Sequence, residues 1–260
     1  MDKILYFFIS IISSTIGGIS GIGGGVMIKP ALDAVGGLDA ATASFLSGCT
    51  VLSMSLASSA KTLREKDHID YKCKFGLALG SVCGGILGKY LFDFILNASE
   101  RKNEITIIQT GLLLLITFSI FIYMRIKERF PSFHFTALFV YCIAGLILGL
   151  ISAFLGIGGG PLNVAILYIL FSMDMKEAAR TSLFIILFSQ VSSLCSMVVS
   201  KTIPDFDPLV LILMAIGGIL GGIWGRALST KLEKPFIEKL FQSVLLLIIC
   251  VNIYNLMKYF

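Results

Sequence analysis

Polar and apolar positions along this chain fall into long blocks rather than into the short alternation of a soluble amphipathic helix. Residues 40–60, 105–124, 181–200, 208–225 and 240–257 carry no Asp, Glu, Lys or Arg. A helix of about 20 apolar residues crosses the hydrocarbon core of a bilayer, and these runs predict spans of that length. The ten-residue alternating segments of a membrane β-barrel are missing. Two blocks are interrupted by the same word: SGIGGGVMIKP at 20–30 and LGIGGGPLNVA at 155–165. Each glycine costs a helix interior about 1 kcal/mol relative to alanine, so both words predict a break at membrane depth.

The word at 156–160 matches that at 21–25 at an offset of 135: Gly21, Gly23, Gly24 and Gly25 fall on Gly156, Gly158, Gly159 and Gly160. Beyond it, Ala40, Ala41 and Ser44 match Ala178, Ala179 and Ser182. GSVCGGILGK at 80–89 lines up with GGILGGIWGR at 217–226, and Gln109 falls near Gln242. Four matches in order predict a duplicated unit, 1–129 and 130–260. Between Arg129 and Asp174 lie 44 residues without a formal charge, and the piece after the glycines, 161–173, reaches only about 20 Å as a helix. The expectation is a long arm, a glycine tip at depth and a short return helix, followed by three transmembrane helices. Whether the long arm itself crosses is left open.

Composition supports the membrane reading: 56% of residues are hydrophobic and 14% charged, with mean hydropathy +0.91, against about 25% charged in soluble domains. The net charge of +5 sits mostly in short loops, as membrane topology requires, and does not point to nucleic acid. Lys29, Lys89 and Arg226 lie inside apolar segments. With one re-entrant hairpin and three spans per unit, the other basic residues divide 13 to 5 between the two sides. Four full spans per unit divide them 11 to 7. The larger asymmetry favours two inverted repeats, in an all-α polytopic protein of the cell membrane. The apolar N-terminus is not read as a signal peptide, because only Lys3 precedes it and the second unit repeats it. The six scattered cysteines contain no CxxC pair and read as packing residues.

The chemistry of a glycine tip points to an anion. Irregular backbone at membrane depth survives only where protein or a water-filled cavity surrounds it. The return helix presents unpaired N–H groups and the positive end of its dipole, and glycine lets a ligand approach closely. Pro161 suits the first turn of the second return helix. The candidate ligand-binding residues are Gly21, Gly23, Gly24, Gly25, Lys29 and Ser44 in the first unit. In the second unit they are Gly156, Gly158, Gly159, Gly160, Pro161, Asn163, Arg180, Thr181 and Ser182. Lys29 faces a neutral partner, Val164, so its role is asymmetric. Lys89, one turn before Asp93, and Arg226, with no nearby acid, are further intramembrane charges that either serve the pathway or are neutralised or snorkel. The four-residue glycine spacings of 80–88 and 217–225 read as helix packing. Ser47, Thr50, Ser189, Gln190, Ser192 and Ser193 read as background, since buried hydroxyls often bond back to their own helix. No HExxH, GxSxG or P-loop motif appears. An enzyme or ATP-driven pump is not indicated, and neither a cofactor nor a metal is implied.

The paired GIGGGVMIKPAL and GIGGGPLNVAIL, followed by AATAS and AARTS and then a glycine-rich span, resemble the TauE/SafE family along essentially the whole chain. The resemblance implies export of sulfite or organosulfonates, or more broadly of small sulfur-containing and organic anions. It places the family's glycine motif on Gly21, Gly23 to Gly25 and Pro30, and on Gly156, Gly158 to Gly160 and Pro161. Ala165 stands opposite Pro30, so the two tips are not equivalent. The leading expectation is a secondary transporter binding a small anion between the tips and rocking one repeat against the other. An anion channel and a non-transporting scaffold subunit are the alternatives. Apart from the anion and the bilayer, the partners left open include a second copy of the chain.

Overall fold

The computed structural model describes residues 2–35, 38–62, 71–98, 102–127 and 133–258, all helix and connection without a strand among them. Ten helices follow in order: α1 (Asp2–Ser20), α2 (Gly25–Val35), α3 (Ala40–Thr62), α4 (Tyr71–Ala98), α5 (Lys102–Ile126), α6 (Leu138–Leu155), α7 (Gly160–Phe171), α8 (Met175–Ser200), α9 (Pro208–Lys231) and α10 (Lys234–Met257). Their limits are written locally. α6 stops where Gly156 turns left-handed at φ +65°, and α7 restarts with a proline in its first turn. Asp174 caps α8 in a reciprocal box with Glu177, and Asp207 accepts from the Leu209 amide ahead of α9. The basic residues Arg64, Lys66, Arg101 and Arg129, and His68, lie outside the described residues.

Eight of these helices are long and apolar enough to cross a membrane. The exceptions are α2 and α7, at 11 and 12 residues, which rise about 16–18 Å against a hydrocarbon core of about 30 Å. The arms ahead of the glycine words, α1 and α6, have full spanning length. Large side chains such as Phe94, Leu115, Phe139, Val199 and Met257 face outward, as a lipid-facing surface requires.

Glycine stripes set the packing. A methyl group at Gly80, Gly84 or Gly88 of α4 would lie 2.1, 2.1 and 2.3 Å from the carbonyl oxygens of Cys142, Leu146 and Leu150 on α6. The register advances by four on both helices, so α4 and α6 run parallel with backbones in contact. On α9, Gly217, Gly221 and Gly225 abut Ser10, Ile11 and Thr15 of α1 in the same way. The neighbouring rows close on a third helix: Gly218 and Gly222 meet the Thr50 and Met54 carbonyls of α3, and Gly85 meets Ser189 of α8. Two bundles result, α1–α3–α9 and α4–α6–α8, and each mixes helices from both halves of the sequence. They meet along α3 and α8, where Gly48 faces Gln190, while Val51 and Met54 cluster with Leu183 and Ile186. This register is antiparallel.

Contacts at the helix ends sort the loops. At one end Lys3 pairs with Asp207, Thr42 donates to the Asp205 carbonyl at 3.1 Å, and Thr202 donates to Asp93. At the other, Lys234 meets Asp174 at 2.8 Å, Lys127 meets Glu238, and the Phe133 amide donates to the Ile169 carbonyl. Burial would raise the Asp174 carboxyl, but the Lys234 ammonium and the amides of Lys176 and Glu177 outweigh it and hold it below the usual range.

Candidate functional site

The two glycine words form the turns between α1 and α2 and between α6 and α7. Gly21 and Gly23 hold φ of +73° and +77°; Gly156, Gly158, Gly159 and Gly160 hold +65°, +76°, +83° and +43°. That left-handed geometry is strained for any residue with a Cβ. The tips touch each other. A methyl at Gly25 would lie 2.3 Å from the Ile157 carbonyl oxygen, and one at Gly160 would lie 2.0 Å from Val26 Cγ2.

Each tip is also seated on a helix from the other half of the sequence. A methyl at Gly21 would strike Ala179 of α8 at 2.2 Å, and the Ser182 hydroxyl donates to the Gly21 carbonyl at 2.7 Å. A methyl at Gly156 would lie 2.7 Å from the Cβ of Ser44 on α3. Both expected serines therefore reach a tip, crosswise.

Several buried polar groups here have no hydrogen-bond partner in the protein. Asn163 is 0% exposed, and neither end of its amide is bonded. It lies against the second tip, with a Cβ at Gly159 placed 2.7 Å from both amide atoms. Ser44, Ser47 and Thr181 hydroxyls and the Gln190 amide nitrogen are likewise unbonded. A cavity of about 20 Å³ is lined by Ser44, Gly48, Lys89, Gly156, Gln190 and Ser193, among others, enough for roughly one water-sized group. Hydroxyls, an amide NH₂ and an ammonium are donors, and such a lining suits an anion or water. Buried polar groups left unbonded are costly, and these lie on α7 and on the two helices, α3 and α8, that seat the tips.

The remaining candidates divide. Lys89 is buried and paired with Asp93, as its spacing predicts, with its ammonium 4.8 Å from the Phe92 ring centre; it nevertheless lines the cavity. Arg226 is 2% exposed, so it does not snorkel to the surface; it and the half-buried Arg180 are both engaged with the protein. Gly23 and Gly24 lie within the first tip, close to Ile186 and Ser14. Lys29 is buried but does not face the tip cavity: its ammonium donates to Gln109 Oε1 and, at 3.0 Å, to the Leu155 carbonyl. Thr50, Ser189 and Ser192 bond back to their own helices. Gln190, read as background, belongs to the cavity lining. Its one signal was an amide among hydroxyls on an apolar helix. The cysteines are free, and Cys83, Cys195 and Cys250 lie on the outer surface instead of packing inside. No metal-binding cluster of His, Cys, Asp or Glu occurs among the described residues.

Comparison with known proteins accords with this architecture. The chain is 24% identical over 278 aligned positions, covering 98% of both sequences, to "Probable membrane transporter protein YunE" of Bacillus subtilis (strain 168). No solved structure matches. The family described as "Sulfite exporter TauE/SafE" matches residues 6–252. Spanning nearly the whole chain, that match makes this multi-pass membrane protein a member of the TauE/SafE family of membrane transporters.

Proposed function

We propose that this chain is a secondary transporter that exports a small anion, sulfite or an organosulfonate, and binds it between the two glycine tips. The observation that carries the reading is Asn163: a fully buried amide with no partner, set at the start of α7 against a left-handed glycine. There it complements the unpaired amides and positive dipole end of α7. Ser44, Thr181, Gln190 and Lys89 add donors around the tips.

Inverted repeats at 1–129 and 130–260 are supported by the antiparallel register of α3 and α8, which occupy corresponding places in the two halves. The ion pairs gather Lys3 with the α9 start at one end and Lys127, Lys234 and Asp174 at the other, in keeping with the 13 to 5 division of basic residues. The moving bodies are then not the two repeats. α4 and α9 are packed backbone to backbone on helices of the opposite half, so the units free to rock are the two mixed bundles, with the tips between them.

Reconstitution tests the proposal. Liposomes holding the pure protein should move labelled sulfite or sulfonates in a saturable way. Gly159→Val should abolish movement while folded protein remains in the membrane, since its side chain would drive into Asn163. Normal transport by that variant sinks the site assignment, and ohmic conductance without saturable exchange makes the protein a channel.

A further inference from the structure

Lys29 sits at the break ahead of the second tip. α6 ends at Leu155, leaving its last carbonyls without helical partners and its dipole end negative. Two side chains of the first half meet that end: the Gln109 amide donates to the Phe154 carbonyl at 2.6 Å, and the Lys29 ammonium donates to the Leu155 carbonyl at 3.0 Å and to Gln109 Oε1. A small polar cavity of about 10 Å³ adjoins them, lined also by Asp33, Thr110 and Asn252. Lys29 and Gln109 are each 3% exposed. Asp33, one turn along α2, is the charged group nearest in the sequence and the one acting on Lys29 through space. This is an ammonium held by a backbone carbonyl and an amide oxygen at the C-terminal end of a broken helix, with the Asp33 side chain on the wall of the same cavity. Broken helices of secondary transporters hold coupling cations in such places.

We propose that the Lys29 ammonium is a tethered cation occupying a monovalent-cation site, so that anion binding at the second tip needs neither Na⁺ nor K⁺. The C-terminal end of α6 and the N-terminal end of α7 are separated only by residues 156–159. An anion drawn to the α7 end is therefore repelled by the α6 end unless a cation neutralises it. The matching position in the other half is Val164, so the device serves one tip only. Lys29 then acts on the anion through the field and the backbone of 154–156, without touching it. The inference rests on the anion-transport reading above.

The test uses sulfite as probe on the full-length protein in detergent, following its thermal shift in Na⁺, K⁺ or N-methyl-D-glucamine buffers. The wild type should respond equally in all three; a response confined to Na⁺ or K⁺ overturns the proposal. In Lys29→Ala the apparent affinity should fall roughly tenfold in N-methyl-D-glucamine, the scale of a buried charge at a helix end, and recover with methylammonium, Na⁺ or K⁺. An undiminished response, or a loss that no cation rescues, overturns it. If the alanine variant does not fold, Lys29→Met keeps the buried stem and drops only the charge. Weaker sulfite binding in every buffer then supports the proposal, and unchanged binding overturns it. If the wild type answers to no anion at all, the transport reading fails separately. Amide exchange then decides the cation site: faster exchange at 155–160 in Lys29→Ala, reversed by methylammonium, upholds it, and exchange unchanged by substitution or amine overturns it.

Discussion

The contact between the tips makes Gly25→Ala a sharp perturbation. Gly25 begins α2 and does not share the positive φ of Gly21 and Gly23, so alanine carries no backbone strain there and the effect is purely steric. Its Cβ would lie 2.3 Å from the Ile157 carbonyl oxygen, 2.7 Å from that carbon and 2.8 Å from Val51 Cγ2. Two of those three atoms are backbone, and the shortfall from ordinary contact is about 1 Å. Relief requires the tips to part or α3 to shift. Overpacking of this kind costs about 1–3 kcal/mol, offset by no more than about 1 kcal/mol of gained helix propensity.

Gly111→Ala is the matched control, since nothing lies within 4 Å of its Cβ position in the middle of α5. It should stabilise by about 0.5–1 kcal/mol. Thermal melts of the purified variants, followed through the single tryptophan, Trp224, order the two substitutions. Gly25→Ala should melt below wild type and lose its response to sulfite; Gly111→Ala should melt at or above wild type and keep it. If Gly25→Ala melts with Gly111→Ala and still responds to the anion, the tips are not held in contact and the site has been drawn in the wrong place.

Asn163→Leu should leave the melting temperature unchanged or higher, because it removes an unbonded buried amide, while abolishing sulfite-induced stabilisation; a variant that keeps the response refutes the role of Asn163. Ser182→Ala should cost about 1 kcal/mol in melts by leaving the Gly21 carbonyl unsatisfied, with no such loss from Ser192→Ala, whose hydroxyl bonds back to the Ser189 carbonyl of its own helix. Asp174→Asn should flatten the acid limb of stability against pH. Because the native carboxyl is held below its ordinary 3.8, its contribution is present above that value and is lost as pH falls through the lower native one. Equal acid limbs in the two proteins would remove Asp174 from the account.

The break positions, the short return helices and the three spans after each follow from block lengths and from glycine and proline chemistry, all local properties; the spanning length of the arms α1 and α6 does not follow from them. The parallel stripes on α4 and α9 were legible as packing surfaces, but not their partners. A spacing of four states that a backbone approaches closely and says nothing about which one. Lys29 illustrates the same limit. An apolar stretch containing one lysine signals a buried cation, yet its partners, Gln109 and the Leu155 carbonyl, lie 80 and 126 residues away. Charge alone makes it a candidate ligand; the geometry turns its ammonium towards α6. For Asn163 only the position is legible, because a residue three past the last glycine stands at the helix start whatever the tertiary context.

Crosswise packing bears directly on how such a molecule could move. Had α4 and α9 packed within their own halves, each repeat would be a separable body joined to the other at the tips. Instead the closest backbone contacts join α4 to α6 and α9 to α1, and sliding either pair would drive carbonyl oxygens into glycine Cα atoms. In the proposed transport cycle those pairs move as units. The looser seam runs along α3 and α8, where the small cavity lies and where serine, threonine and glutamine side chains stay unbonded. Each tip is covalently part of one bundle and seated on the other, Gly21 on α8 and Gly156 on α3. Opening the seam on either side therefore changes the seat of a tip, so access to the candidate site and the shape of that site would change together.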